Sequence, residues 1–181
     1  IILLYARATL KQVDLELTNW FEGAFLHVFL MALFTQTNYW LTGQYGYLGH
    51  LDFTSAIVFA NQALVMGLVY SYRSQFAQRL SRIYEAYSYL LWCAFALLII
   101  LLNTAESPLV TDNVSAQALP VINMLSVGWL LPACILIIAT FRGWNTLQVH
   151  RFAVASLGFA LAAIWLGMSI RQFWQTKSMM L

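Results

Sequence analysis

Long apolar runs separated by short polar segments are the dominant pattern along this chain. Five of the runs are about twenty residues long, which is the length that an α-helix needs to cross the hydrocarbon core of a bilayer. The first ten residues are also apolar and have the composition of a further span that has been cut short. We therefore predict a truncated helix followed by five complete transmembrane helices, named spans A to E, over residues 21–40, 53–72, 83–103, 119–141 and 149–173.

Transmembrane β-strands would give a different pattern. Each strand of a membrane barrel is about 10 residues long and alternates apolar with polar residues, whereas the runs in this chain are continuous and longer. A continuous apolar run in lipid must be helical, because a helix satisfies its own backbone hydrogen bonds. The predicted fold class is an all-α integral membrane protein, in which residues 1–181 form a single transmembrane helical region that we expect to be a fragment of a longer chain.

The composition excludes an ordinary soluble domain. Hydrophobic residues make up 61% of the chain and charged residues only 9%, whereas an average soluble domain has about 25% charged residues. A soluble protein of this size needs a polar surface, because so much of its volume lies near solvent. The expected partners are the lipid bilayer and either the remaining helices of the same longer chain or other membrane subunits. The net charge of +2 does not indicate a nucleic-acid partner.

The distribution of Arg and Lys predicts the orientation in the membrane. Short loops make neighbouring spans antiparallel, so the basic residues divide unequally between the two sides. Arg171 and Lys177 lie on one side, and the other side holds Arg7, Lys11, Arg73, Arg79, Arg82, Arg142 and Arg151. Because the basic side is normally cytoplasmic, the loops between spans B and C and between spans D and E are predicted to be cytoplasmic, and the C-terminus is predicted to face outward.

Polar side chains inside the spans are costly and are therefore the candidate functional positions. Together with a proline and a terminal arginine they are Glu22, His27, Asn61, Gln62, Glu85, Asn123, Pro132 and Arg171. His27 is either a neutral histidine hydrogen-bonded within the bundle or part of a site. Asn61 and Gln62 either join helices through their amides or line a polar cavity. Glu85 can pair with Arg82 one turn earlier, whereas a proton-transfer role would need a partner on another helix.

Span D contains a proline in its middle. Pro132 has no N–H, so it leaves the carbonyl of Gly128 without its usual donor and should kink the helix. Such kinks are common in membrane bundles, where neighbouring groups satisfy the freed carbonyl. The sharper alternative is a discontinuous helix that binds a substrate.

Span E is rich in small residues. Gly158 and Ala162 are four residues apart, as are Ala163 and Gly167. Because this small-xxx-small spacing lets helices approach closely, we expect span E to be buried against a neighbouring helix.

No motif of known catalytic chemistry occurs in the sequence. It contains no serine nucleophile turn, no HExxH and no glycine-rich phosphate loop, and no paired carboxylates that would suit a proton pump. The sequence does not indicate an enzyme, and no catalytic, metal-binding or cofactor-binding residue is predicted. A bound lipid is compatible with the composition.

Two segments resemble a known family. They are Asn123-Met-Leu-Ser-Val-Gly-Trp-Leu-Leu-Pro132-Ala133 in span D and Trp165-Leu-Gly-Met-Ser-Ile-Arg171-Gln-Phe173-Trp174 at the end of span E. Together they resemble domain-of-unknown-function family 2339, which comprises very large bacterial membrane proteins with many repeated spans. In that family an Asn…Pro-Ala helix precedes a helix ending in a Glu-x-Arg-x-x-Phe-like motif, and Ser169 stands here where the acidic residue is expected.

The resemblance extends weakly to the start of the chain. Residues 15–23 look like a degenerate second copy of the helix ending, in which Asn19 replaces the arginine. The resemblance implies the C-terminal part of a long chain in the bacterial inner (cytoplasmic) membrane. It supplies no activity.

Two functions remain open from the sequence. In the first, the segment belongs to a transporter or a lipid-handling protein, and Asn61, Gln62 and Asn123 converge on one solvated cavity beside the kinked span D. In the alternative, it is a structural or assembly subunit of a larger membrane complex, with dry packing and a wide contact through the small-residue face of span E. No residue pattern supports an intramembrane enzyme.

Overall fold

Helices make up most of the chain that the computed structural model describes, which is residues 15–45, 51–77, 80–104, 123–142 and 150–178. Their order is α1 (Leu15–Thr42), α2 (Phe53–Ser74), α3 (Ser81–Thr104), a π turn (Ser126–Leu130), α4 (Leu131–Phe141) and α5 (Arg151–Ser178). No strand occurs in these ranges. The predicted all-α class is confirmed for this part of the chain.

Four of the helices are long and apolar enough to cross a membrane, namely α1, α2, α3 and α5. The remaining apolar stretch, Ser126–Phe141, is shorter, and the first part of predicted span D falls in residues 105–122, outside the described residues. The truncated span predicted for residues 1–10 also lies outside them. The described helices therefore support four spans, and the count of five complete spans plus a truncated one stays a prediction.

α2 and α3 form the most closely packed pair of helices. Gly67 allows this approach, because a Cβ atom there would lie 2.4 Å from the Trp92 ring of α3. The Ser88 hydroxyl of α3 donates a hydrogen bond of 2.9 Å to the Gly67 carbonyl. At the start of α2, the Asp52 carboxylate accepts a hydrogen bond of 2.9 Å from the Ser55 N–H, which caps the helix. α2 also contacts α1 and the π turn, so it is the central element of the fold.

The π turn, α4 and α5 form a second packed group. Gly158 of α5 lies against α4, where a Cβ atom would approach Ile137 Cγ1 to 3.0 Å. A Cβ atom at Gly167 would meet nothing within 4 Å, and Ala163 is exposed as well. The two pairs of small residues in span E therefore have different surroundings. Gly158 packs within the chain, whereas the described residues leave Ala163 and Gly167 uncovered.

Trp129 of the π turn joins the two groups. Its side chain is fully buried, and its indole N–H donates a hydrogen bond of 3.3 Å to the Asn103 side-chain oxygen of α3. Its ring centroid lies 5.9 Å from that of Phe53 in α2. By contrast, α1 is attached loosely, since 11% of its spanning window is buried in the structure compared with 56% for α2.

Candidate functional site

A cavity of about 250 Å³ lies between α1, α2 and α3. Ring and aliphatic side chains form most of its wall, and it is named the aromatic cavity below. Its lining residues are Trp20, Gly23, Ala24, His27, Tyr70, Leu80, Ile83, Tyr84 and Tyr87. Two of them mark its mouth, because Trp20 is 55% exposed and Ile83 is 47% exposed. The cavity therefore opens between α1 and α3.

Two helices present the same residue spacing to the aromatic cavity. α1 contributes positions 20, 23, 24 and 27, and the start of α3 with the residue before it contributes positions 80, 83, 84 and 87. Residues three and four apart lie on one face of a helix, so each helix turns a single face to the cavity. A Cβ atom at Gly23 would lie 3.1 Å from the Tyr84 hydroxyl oxygen. The missing side chain at Gly23 therefore leaves room for the Tyr84 hydroxyl.

Tyr70 lines the aromatic cavity from α2 and has an unpaired hydroxyl. Its side chain is only 2% exposed, and its hydroxyl has no hydrogen-bond partner among the described residues. Its ring centroid lies 5.4 Å from that of Tyr87 and 5.9 Å from that of Tyr84. An unpaired buried polar group costs about 1–3 kcal/mol, so its presence in a native structure needs an explanation.

His27 brings a second unpaired polar atom to the aromatic cavity. Its Nδ1 is buried and has no hydrogen-bond partner in the described part of the chain. Its ring instead meets Tyr87 edge-on, with centroids 5.2 Å apart, an arrangement that aromatic rings prefer. The hydrogen bond expected for a structural histidine is therefore absent at Nδ1. Tyr70 and His27 therefore both line the cavity, but these two unpaired atoms are themselves buried within its wall.

An ion pair lies beside the aromatic cavity. The Arg73 guanidinium at the end of α2 contacts the Glu22 carboxylate in α1. Glu22 directly precedes the cavity residue Gly23, and Arg73 follows Tyr70 by three residues, which is about one helical turn. The two charges neutralise each other, so the ion pair leaves little net charge next to the cavity.

Asn61 satisfies the carbonyl that Pro132 leaves without a donor. The sequence assigned this carbonyl to Gly128, but the Leu131 N–H donates to the Ser126 carbonyl, five residues earlier. In this π register the carbonyl of Val127 would need the N–H of residue 132, which proline lacks. The Asn61 amide of α2 donates to the Val127 carbonyl at 2.9 Å. The backbone hydrogen bond that proline was predicted to remove is therefore missing, but at Val127 rather than at Gly128. An amide on another helix takes the place of the missing donor.

Asn123 and Gln62 contact different parts of the fold. The Asn123 amide donates a hydrogen bond of 2.9 Å to the Gln172 side-chain oxygen of α5, and its oxygen accepts one of 3.1 Å from the Ser126 N–H. The Gln62 amide donates to the Thr37 hydroxyl of α1. Neither residue lines the aromatic cavity, and nor does Asn61. The transport hypothesis placed these three amides together in one cavity. In the structure each of them instead forms its own contact with a neighbouring helix or turn.

The remaining candidate positions lie outside the aromatic cavity. Glu85 accepts a hydrogen bond of 3.3 Å from the Ser81 hydroxyl. Within the described residues it forms no ion pair with Arg82, although the spacing favoured one. Arg171 is half-buried near the end of α5, and Pro132 is buried in the first turn of α4.

Sequence reasoning missed most of the lining of the aromatic cavity. It identified His27 but passed over Tyr70, Gly23 and Trp20. The available signal was the shared spacing of aromatic and small residues in spans A and C, at the end where both helices approach the basic loop. Only the packing of α1 against the hairpin of α2 and α3 shows that these faces meet.

The described residues contain no group of three His, Cys, Asp or Glu side chains that could hold a metal ion. The described lining of the aromatic cavity includes one imidazole and no carboxylate. This lining is suited mainly to apolar contact.

A comparison with protein families gives one match. The model of a family described as "Predicted membrane protein (DUF2339)" matches residues 1–181. This confirms the resemblance drawn from spans D and E. No curated protein and no solved structure matches the chain.

Proposed function

Since the chain belongs to the DUF2339 family of predicted membrane proteins, we propose that it is part of a lipid-handling protein whose aromatic cavity takes up a molecule from the membrane. The single observation that carries this proposal is the aromatic cavity of about 250 Å³, with its ring and aliphatic lining. Binding sites for small molecules are typically apolar and contain a few polar groups that orient the ligand. A lipid-like ligand in this cavity would gain apolar contact with these side chains.

The position of the aromatic cavity suits a ligand that arrives from the bilayer. Its mouth lies between α1 and α3, and α1 is the most loosely attached of the spanning helices. A small displacement of α1 would open the cavity sideways to lipid. Under the positive-inside rule the nearby Arg73 belongs to the cytoplasmic side, so the proposed site lies in the cytoplasmic half of the membrane.

The intramembrane amides favour lipid handling over transport of a polar solute. Asn61, Gln62 and Asn123 each form hydrogen bonds to a neighbouring helix or turn. Such bonds commonly hold membrane helices together. A hydrophilic pathway would need some of these groups to face a common space.

Photolabelling of the whole protein in detergent micelles tests the proposal. The probe is a fatty acid that carries a photoactivatable diazirine on its chain, and mass spectrometry of the digested protein locates the label. We expect the label on peptides of α1 and of the start of α3. Gly23→Leu fills the aromatic cavity and should abolish this labelling.

Gly167→Leu is the matched control, because it places the same side chain where nothing lies within 4 Å. It should leave the labelling of the aromatic cavity unchanged. Labelling spread evenly over the exposed faces of all helices would contradict the proposal. Unchanged labelling of α1 and α3 in a folded Gly23→Leu variant would also contradict it.

The second candidate function is a structural or assembly role. The observation that favours it is the small-residue face of Ala163 and Gly167, which the described residues leave uncovered. A face of this type permits close approach of another helix. If it holds a partner, Gly167→Leu should shift the particle to a smaller size in native gel electrophoresis, whereas Gly23→Leu should not.

A further inference from the structure

We infer that the end of α4 and the start of α5 bind the phosphate of an anionic phospholipid between Arg142 and Arg151, which are named the arginine pair below. This site is separate from the aromatic cavity, so the inference goes beyond the proposed function. Three observations support it, which are the register of the two helices, the lack of a counter-charge and the exposed phenylalanines beside the arginines.

The register of α4 against α5 places the arginine pair at one level. The Asn123 amide donates to the Gln172 side chain, and Gly158 lies against Ile137. These two contacts are fourteen residues apart on each side, so the segments run antiparallel. Five further residues along α4 and seven further residues back along α5 reach the arginine pair. The two positions therefore differ in height along the helices by about 3 Å.

Arg151 also starts from the side of α5 that faces α4. It precedes Gly158 by seven residues, which is about two helical turns, so the two residues share a face of the helix. α4 ends at Phe141, and Arg142 directly follows it. Both arginines are exposed. A ligand at this end of the two helices can therefore reach both guanidinium groups.

The arginine pair has no counter-charge within its own hairpin. The sequence contains no Asp or Glu after Asp112, so α4, α5 and the residues between them have no carboxylate side chain. Elsewhere in the described residues, the carboxylate of Glu22 is paired with Arg73, and no ion pair there includes either member of the arginine pair. Two like charges at one level repel each other, and a phosphate between them would remove this repulsion. Guanidinium groups bind phosphate through paired N–H donors.

Exposed phenylalanines beside the arginine pair favour a lipid over a free phosphate. Phe141 is 86% exposed and Phe152 is 76% exposed, and each is the chain neighbour of one arginine. The Arg151 Cζ lies 4.9 Å from the centroid of the Phe152 ring, a cation–π contact that leaves the N–H groups at the guanidinium edge free to donate. Acyl chains can cover both rings, whereas a soluble phosphate would leave them in water. The positive-inside rule places this end at the cytoplasmic leaflet, which contains anionic lipids.

Native mass spectrometry of the whole protein in a neutral detergent tests the inference with two lipids that have the same acyl chains. Dioleoyl phosphatidylglycerol is anionic, and dioleoyl phosphatidylcholine is zwitterionic. We expect the dissociation constant of the anionic lipid to be lower by about twentyfold, because each arginine near anionic headgroups contributes about a factor of five. Arg142→Gln with Arg151→Gln should remove most of this difference and leave phosphatidylcholine binding unchanged.

Arg82→Gln is the matched control, because Arg82 is also exposed and is predicted to lie on the same side of the membrane. It removes the same charge and should change the preference between the two lipids by less than about twofold, since it lies on the other helical hairpin. If Arg82→Gln lowers the preference as much as Arg142→Gln does, the lipids respond to a diffuse basic surface and the inference is overturned. Equal affinity of the wild type for both lipids would also overturn it.

A probe without acyl chains separates a lipid from a free phosphate. Glycerophosphoglycerol has the headgroup of phosphatidylglycerol and should not displace the lipid at equal concentration. Displacement would overturn the lipid as the ligand. Phe141→Ala with Phe152→Ala should weaken the binding of both lipids, because it removes contact with their acyl chains. Gly23→Leu should leave phosphatidylglycerol binding unchanged, so the inference and the proposed function can fail separately.

Discussion

The Asn61 amide donates one hydrogen bond of 2.9 Å to the Val127 carbonyl and another of 2.9 Å to the Ile57 carbonyl within its own helix. The first of these bonds replaces a backbone donor that the π turn and Pro132 together remove. A side chain on α2 thus completes the backbone hydrogen bonding of a segment that lies 66 residues later in the chain. This contact ties the central helix α2 to the π turn.

Asn61→Leu should loosen the π turn. It leaves the Val127 carbonyl unpaired in an apolar environment. We expect the free energy of unfolding to fall by about 1 kcal/mol, which lies between the average value of a hydrogen bond in a membrane protein and the cost of an unpaired buried polar group. Hydrogen–deuterium exchange of the whole protein should show faster exchange in the peptide that contains Ser126–Leu130.

Pro132→Ala provides the control for the effect of Asn61→Leu. It restores an N–H at position 132, so the Val127 carbonyl gains a backbone donor. In this background Asn61→Leu should cost much less, and the double-mutant cycle should give a coupling of about 1 kcal/mol. Additive effects of the two substitutions would show that Asn61 does not act through this carbonyl.

Gly67→Ala should separate α2 from α3. The added Cβ atom would lie 2.4 Å from the Trp92 ring, so the ring or the helix must move, and overpacking of this kind costs about 1–3 kcal/mol. Thermal unfolding of the purified protein should start at a lower temperature. Gly167→Ala is the matched control, since it meets open space and should be neutral or slightly stabilising because alanine favours the helix. Equal effects at both positions would refute this account of the packing.

Glu22→Gln should destabilise the attachment of α1, because it leaves Arg73 without its opposite charge. The pair is partly exposed, with side-chain exposures of 28% for Arg73 and 14% for Glu22, so we expect a loss of about 2 kcal/mol, between surface and buried ion pairs. Limited proteolysis should then cut near α1 at a higher rate. The charge-swapped variant, Glu22→Arg with Arg73→Glu, should recover part of this loss of stability. If the swapped variant is less stable than either single variant, the ion pair contributes little.

Thr37→Val should weaken a second polar contact of α1. It removes the hydroxyl that accepts a hydrogen bond from Gln62 and keeps the shape of the side chain. Gln62→Leu removes the donor, and the Gln62 side-chain oxygen already has no partner within the described residues. A double-mutant cycle on thermal stability should give a coupling of about 0.6 kcal/mol, the average for such bonds in membranes. A coupling near zero would mean that this hydrogen bond contributes little to holding α1 in place.

Polar residues could be found from the sequence, but their partners could not. Asn61, Gln62 and Asn123 are conspicuous in apolar runs, and the cost of burying an amide predicts that each has a partner. The prediction that they share a cavity had no comparable physical basis, because spacing along different helices does not define distances between them. The structure gives each a separate partner, and two of those partners are backbone or hydroxyl groups that no sequence pattern marks.

The break in the backbone hydrogen bonding of span D could be predicted from the sequence to within one residue. Proline removes a donor wherever it occurs, so some carbonyl near Pro132 had to lose its bond. Which carbonyl loses it depends on whether the preceding turn is α or π. Burial of Trp129 and the contact of Gly128 with Ile57 accompany the π form here, and both depend on the packing of α2.

The sequence by itself determined the fold class and the approximate positions of the apolar helices, because the length of an apolar run and the need to satisfy backbone hydrogen bonds are local properties of the chain. It also determined the family, through short motifs in spans D and E. The tertiary structure alone decided which faces meet. The aromatic cavity exists because Gly23 of α1 lies against Tyr84 of α3 and both lie beside Tyr70 of α2. Contacts between residues so far apart in sequence follow from the packing of whole helices, which no local pattern specifies.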